Sequence, residues 1–180
     1  MALAINIRSD DSSAERIEAL WDEVATFESQ PSMRALNYRP HFTFAIYDTP
    51  EITANTAWEA MLRATAGEGQ LSIEFRRICW FAGPPLVLWA EPKVDEALAR
   101  WHSSISAAID PSFCRLHYRP GNWRPHCTLG TQIADGKRND AIAFAQSFNE
   151  SITVLFDVVD CVVFPPVWVV AERRLPLRTP

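Results

Sequence analysis

Two stretches of this chain carry the residue types needed to handle a phosphate. Tyr38-Arg39-Pro40-His41-Phe42-Thr43-Phe44 and Trp123-Arg124-Pro125-His126-Cys127-Thr128-Leu129 follow one plan: aromatic, Arg, Pro, His, any residue, Thr, apolar. With four His and ten Thr in 180 residues, chance would supply only about 0.2 occurrences of His-x-Thr. Two occurrences with matching flanks are therefore a repeat. In-line displacement at phosphorus needs a base to activate the attacking group and an acid to protonate the departing oxygen, on opposite sides. Two imidazoles supply both near neutral pH, because the unperturbed pKa is about 6.5. The hydroxyls of Thr43 and Thr128 are candidates to donate to the non-bridging oxygens where charge builds up. Arg39 and Arg124 are candidates for added positive charge, and Tyr38 and Trp123 for stacking on a base. Each has a plainer alternative: an Arg in a salt bridge, an aromatic packed on a sheet, a His held in a strand. The residues do not say which His is base and which acid.

These residues need a strand to present them. Pro40 and Pro125 fix φ, push the preceding Arg into the extended region and have no N–H for a ladder, which suits a strand entrance. Alternation then predicts that Arg39, His41 and Thr43 share one face while Phe42 and Phe44 turn to the core, with Arg124, His126 and Thr128 repeating the arrangement. Around the motifs, Ala2 to Arg8 reads as a strand. Ser12-Ser13-Ala14-Glu15 has capping-box spacing before a helix over 13–28 with Ile17, Leu20, Trp21, Val24 and Phe27 on one face. A second helix runs from Pro50 to Gly67 through Trp58, Met61 and Leu62. Leu71 to Phe81 and Leu86 to Glu91 form a hairpin about Gly83-Pro84-Pro85. Val94, Leu98, Trp101, Ile105 and Ile109 mark a third helix, and Ala141, Phe144, Ala145 and Phe148 a fourth. Val154 to Val163 and Val167 to Glu172 close the chain as two strands. The connections Ser29 to Asn37 and Asp110 to Asn122 each precede a motif strand and are expected to border the site and help choose the substrate. His102 reads as structural, and His117 as a candidate for the rim.

The repeat is wider than the motifs. Pro84-Pro85-Leu86-Val87-Leu88-Trp89-Ala90-Glu91 matches Pro165-Pro166-Val167-Trp168-Val169-Val170-Ala171-Glu172 at an offset of 81 residues, and the two motif His are 85 apart. Trp21 and Trp101 sit at corresponding places in two helices. The chain therefore reads as a single domain, 1–180, with an internal duplication of roughly 1–91 and 86–175. A pseudo-twofold axis would bring His41 and His126 across one cleft.

Composition narrows the partners. A net charge of −5 and a pI near 5.4 argue against an extended duplex-binding face, which needs many phosphate contacts. Fifteen of the 17 basic residues are Arg, the better bidentate partner of phosphate, although genomic base composition has the same effect. Cys79, Cys114, Cys127 and Cys161 have no C-x-x-C spacing and read as reduced thiols, with no metal site and no disulfide framework. No stretch of 18 apolar residues occurs, so a soluble, cytoplasmic protein is expected, without membrane partner, cofactor or metal, and monomeric.

His41-Phe42-Thr43-Phe44 and His126-Cys127-Thr128-Leu129 resemble the paired His-x-Thr/Ser-x signature of the 2H phosphoesterase superfamily, which contains 2′-5′ RNA ligases and cyclic phosphodiesterases. The run Tyr118-Arg119-Pro120-Gly121-Asn122-Trp123-Arg124-Pro125-His126-Cys127-Thr128-Leu129 is similar to bacterial 2′-5′ RNA ligase-like members. The resemblance covers nearly the whole chain. It implies an α+β fold of two pseudo-symmetric lobes, with antiparallel sheets lining a central cleft and helices packed outside. It also implies metal-independent chemistry on a cyclic phosphate or 2′-5′ linkage of a nucleotide or RNA end, carried by His41, Thr43, His126 and Thr128. The family motif does not require Arg at 39 or 124. The competing readings are a non-catalytic module that binds a nucleotide or RNA end, and a duplicated structural domain; binding alone would not need two titratable groups.

Overall fold

Two four-stranded antiparallel sheets, each with a motif strand at one edge, organise the chain. The computed structural model describes residues 1–177. In chain order the elements are β1 (Ala2–Arg8), α1 (Glu15–Ala25), β2 (His41–Tyr47), α2 (Ala54–Ala64), β3 (Leu71–Phe81), β4 (Leu86–Pro92), α3 (Glu96–Ala108), β5 (Cys127–Ile133), α4 (Arg138–Ser147), β6 (Ile152–Phe156), β7 (Val158–Phe164) and β8 (Trp168–Arg174). The first sheet runs β2-β1-β7-β8 and the second β5-β4-β3-β6. The α+β class, the two antiparallel sheets and the four helices are those expected. Among the described residues no helix is long and apolar enough to cross a membrane.

The sheets are not the two sequence repeats. β3, from the first repeat, lies beside β4 in the second sheet, and β7 and β8, from the second repeat, extend the first sheet. The helices cross over as well: α1 packs on β5, and α3 packs on β2. Each half of the chain thus supplies part of the other half's support, and one continuous core runs between the sheets, from Ile5 and Phe42 to Leu88 and Val154. The expected single strand over 154–163 is in fact two strands in different sheets. The break is Asp157, whose buried carboxylate accepts from Asp10 N at 2.8 Å and pairs with Arg174. A buried charge with these partners fixes a corner that the apolar run around it does not announce.

Most helical stripes bury as their spacing requires. Ile17, Leu20, Trp21 and Val24 are buried on α1, and Leu98, Trp101 and Ile105 on α3. Three boundaries differ from the sequence expectation. The turn before α1 is capped by Asp11, which accepts from Ser13 N at 2.8 Å, and not by Ser12 of the capping-box spacing; Ser13 Oγ accepts from Leu155 N. α2 begins after Thr53, whose hydroxyl accepts from Thr56 N, so Pro50 belongs to the preceding turn. Val94 lies before α3 and is 94% exposed.

Both motif strands depart from strict alternation at the same place. In the β1–β2 ladder Ile5 opposes Ala45 and Asn6 opposes Thr43, leaving Phe44 as an extra residue. In the β4–β5 ladder Leu88 opposes Gly130 and Trp89 opposes Thr128, leaving Leu129 extra. A bulge shifts the parity of everything beyond it. His41 and Thr43 face the cleft, Phe42, Phe44, Ala45 and Tyr47 face the core, and Ile46 returns to the cleft side.

Candidate active site

The cleft between the lobes has a volume of about 170 Å³, and both His-x-Thr pairs line it: His41 and Thr43 from β2, His126 at the entrance of β5, and Thr128 within β5. Each imidazole is tied back by its own motif. His41 Nδ1 lies 2.9 Å from the Arg39 carbonyl and His126 Nδ1 lies 2.7 Å from the Arg124 carbonyl. A carbonyl only accepts, so each Nδ1 carries a proton, and Nε2 is the nitrogen each ring has free for chemistry. The Pro that follows each Arg holds it extended, which is what turns its carbonyl towards the ring two residues on.

The free edge of each motif strand is closed by the connection that leads into the other. Trp123 Nε1 donates to Thr43 O at 2.9 Å, and Arg115 N donates to Ile46 O at 2.9 Å, so 110–123 braces β2. Trp21 Nε1 donates to Thr128 O at 3.0 Å, and the Glu28 carboxylate accepts from Thr131 N and Gln132 N at 2.8 and 2.9 Å, so the end of α1 and the chain beyond it brace β5. Unpaired edges are satisfied and the two Thr are held from behind.

Behind the motifs the lobes differ. In the first lobe Thr43 Oγ1 donates to Asn6 Oδ1 at 2.8 Å, and Asn6 Nδ2 donates to Asp160 Oδ1 at 3.1 Å. Tyr38 OH donates to Asp160 at 2.6 Å, and Arg8 Nε donates to Asp160 Oδ2 at 2.8 Å. Burial pushes the Asp160 carboxyl up, against the hydrogen bonds of Tyr38 and Asn6 and the charge of Arg8, and burial beside Asp160 raises the Tyr38 phenol well above its usual value. In the second lobe the His126 ring stands edge-on to Phe81 and Trp89, with centroids 5.2 and 5.9 Å apart, and the Arg124 guanidinium lies 5.8 Å over the Trp89 ring. Both imidazoles are depressed. Burial, and then the charge of His126, bring His41 down to about 4, and burial, with Arg124 beside it, lowers His126. Among the described residues no three His, Cys, Asp or Glu are grouped to hold a metal ion.

The family model described as the 2′-5′ RNA ligase superfamily matches residues 9–164. The chain belongs to that superfamily. The 2H phosphoesterase resemblance carried by the two motifs is borne out at the level of family. Among solved structures the chain is similar to TT0787 of Thermus thermophilus, at 15% identity and a TM-score of 0.65, over 99% of this chain and 100% of that one. It is also similar to E. coli LigT in its complex with NADP+, at 14% identity and a TM-score of 0.53, over 97% and 96%. At such identities the likeness is one of fold. No curated protein sequence matches the chain.

This superfamily member does not bring all the sequence candidates into the cleft. Arg39 is turned away: it pairs with Glu18 and donates to the Ser9 carbonyl at 3.1 Å, so it does not share the face of His41 and Thr43. The residue lies before β2 begins, where alternation does not yet apply. Arg124 is exposed beside His126. Tyr38 lines the cleft, but as the edge-on neighbour of His41, with centroids 4.8 Å apart and its hydroxyl committed to Asp160. Trp123 stacks on His102 at 4.2 Å and on Phe44 at 5.8 Å, which occupies the ring that was a candidate for a base. His102 Nε2 donates to the Tyr118 carbonyl at 2.7 Å and the ring is buried, while His117 is exposed and does not line the cleft. Leu36 and Tyr118 place both connections at the cleft wall. All four cysteines are free, and burial raises each thiol. Asn6, Asp160, Phe81 and Trp89 were not singled out in the sequence. A lone Asn or Asp inside the apolar runs Ala2–Ile7 and Val158–Val163 was a usable signal, because a buried polar group needs a partner.

Proposed function

We propose that the protein is a phosphoesterase that opens the cyclic phosphate, or cleaves the 2′-5′ phosphodiester, of a nucleotide or RNA end without a divalent ion. The observation that carries this reading is the pair of imidazoles lining one cleft, each with Nδ1 spent on a backbone carbonyl and Nε2 unengaged. His41, held down to about 4 by burial, is neutral over most of the pH range and is taken as the base, with His126 as the acid that protonates the leaving oxygen. Water attacks phosphorus and gives a proton to His41 Nε2. The bond from phosphorus to one ribose oxygen breaks, and that oxygen takes the proton from His126 Nε2, leaving a monophosphate ester beside a free hydroxyl. Ligation runs in the same direction with a 5′-hydroxyl in place of water, and cleavage of a 2′-5′ linkage is the reverse of that step, with the ribose hydroxyl attacking and the 5′-oxygen leaving with a proton. Thr128 has no side-chain partner among the described residues and is placed to donate to a non-bridging oxygen, with the Arg124 charge close by.

Both histidines are depressed, so the optimum of kcat/KM moves from neutrality to the acid side. The rate rises as His41 loses its proton and falls as His126 loses its own below the ordinary 6.5. The test is turnover of a 2′,3′-cyclic nucleotide in EDTA across pH, with product analysis. Activity that EDTA abolishes and a divalent ion restores contradicts the metal-independent mechanism, and an absence of turnover with every cyclic phosphate contradicts the enzymatic reading.

A further inference from the structure

The two motif threonines do not offer the cleft the same chemistry. Asp160 is a fully buried carboxylate that receives Arg8 Nε, Tyr38 OH and Asn6 Nδ2, so it acts as an acceptor. That orients the Asn6 amide. Its NH2 end faces Asp160 and the Tyr38 oxygen, at 3.1 and 3.2 Å, and its carbonyl end is left for Thr43, because the inverted amide would set an oxygen against a carboxylate. An amide oxygen 2.8 Å from Thr43 Oγ1 has no hydrogen to give, so the Thr43 hydrogen points at Asn6 and its lone pairs face the cleft. Thr128 has Trp89 opposite it on the neighbouring strand, and among the described residues no side chain claims its hydroxyl hydrogen.

We infer that Asn6, held by Asp160 and Tyr38, is a positioning residue that makes Thr43 a hydrogen-bond acceptor for the attacking water, and that of the two threonines only Thr128 donates to the phosphate. The role of the water rests on the phosphoesterase reading above. His41 Nε2 and Thr43 Oγ1 are two acceptors on one face of β2, and a water has two hydrogens. With one on each, its oxygen lone pair is aimed out of the first lobe towards a phosphorus anchored on the second. On attack, the hydrogen on His41 is transferred to Nε2. The other remains on the new P–OH group, still donating to Thr43, and no hydrogen leaves Thr43 or Asn6.

Sulfate tests this, because it is tetrahedral, anionic and without a hydrogen to donate, so it gains from Thr128 and gains nothing from an acceptor. Its dissociation constant is measured by calorimetry, and its competition against a 2′,3′-cyclic nucleotide by kinetics, for wild type, Thr43→Val, Thr43→Ser, Thr128→Val and Asn6→Ala. Removing a donor to a charged group costs about 10- to 100-fold in affinity. Thr128→Val is therefore expected to weaken sulfate by that factor, and Thr43→Val to change it less than about 3-fold while kcat falls about 10- to 100-fold, a positioning effect. Thr43→Ser keeps the oxygen and restores kcat. Asn6→Ala releases the Thr43 hydrogen, so it leaves sulfate affinity equal or tighter while lowering kcat. The inference is overturned if Thr43→Val and Thr128→Val weaken sulfate equally, if wild type binds no sulfate, or if Thr43→Val retains full kcat. If wild type turns over no cyclic phosphate, the phosphoesterase reading fails, while the sulfate affinities still decide whether the two hydroxyls differ.

Discussion

The first lobe backs its His-x-Thr pair with a buried polar network, and the second backs the same pair with an aromatic shelf. His41 and Thr43 stand before Asn6, Tyr38, Asp160 and Arg8; His126 and Thr128 stand before Phe81 and Trp89, with Arg124 exposed alongside. The strand entrances, the bulge after Thr and the Nδ1-to-carbonyl bonds are common to both. What a repeat shares is the presentation of a group; what it does with that group is set by the neighbouring strand. Position 6 on β1 and position 89 on β4 are the equivalent neighbours, Asn in one lobe and Trp in the other, each opposite a motif Thr.

The largest effect that bears on this comparison is loss of either imidazole. His41→Ala and His126→Ala are each expected to lower kcat by about 10²–10⁴-fold in a steady-state assay, with phosphate binding largely retained. If one variant keeps full turnover, the two lobes are not partners in one reaction. Next is Asp160→Ala, which leaves Arg8, Tyr38 and Asn6 facing a buried hole. Unfolding in urea should show a loss of about 3–5 kcal/mol, the usual cost of stripping one partner from a buried ion pair. Gly130→Ala probes the second lobe: a Cβ there would lie 2.5 Å from Val24 Cγ1 and 2.9 Å from the Glu28 carboxylate that closes the edge of β5. Overpacking of this kind costs about 1–3 kcal/mol, and unchanged stability would show that the brace is loose.

A smaller effect separates the two arginines. Arg124→Ala should lower kcat/KM by about 10-fold, the loss of a partly screened charge near the phosphate, whereas Arg39→Ala, its sequence equivalent, should change it by less than about 2-fold. Equal losses would mean that Arg39 reaches the cleft during turnover. The pH dependence of stability supplies the last comparison. His41 is held near 4 when folded against an ordinary 6.5, so the unfolded chain takes up its proton first as pH falls. The stability of the neutral ring is fully present above about 6.5 and is lost between 6.5 and 4. His41→Gln should flatten that part of the urea-unfolding profile.

Much of this was legible in the chain itself. Pro40 and Pro125 announced strand entrances, the His-x-Thr spacing placed imidazole and hydroxyl on one face, and the helical stripes buried Trp21 and Trp101 as their periods require. The rest depended on partners distant in sequence. Nothing local marks Asp157 as a corner, because its role is fixed by Asp10 and Arg174. Arg39 and Arg124 look alike in sequence, yet Glu18 stands beside one and Trp89 beside the other. The exchange of β3 and β7 between sheets is a choice of long-range pairing that repeated local patterns do not encode.

The division between a base in the first lobe and an acid in the second is tested most directly by changing the leaving group. Wild type, His41→Ala and His126→Ala are assayed on a 2′,3′-cyclic nucleotide and on a 4-nitrophenyl phosphodiester, whose leaving group departs without a proton. The account predicts that His126→Ala recovers to within about 10-fold of wild type on the nitrophenyl ester, while His41→Ala remains down by about 10²–10⁴-fold on both substrates. Recovery of His41→Ala in place of His126→Ala, or equal deficits of both variants on both substrates, would contradict it.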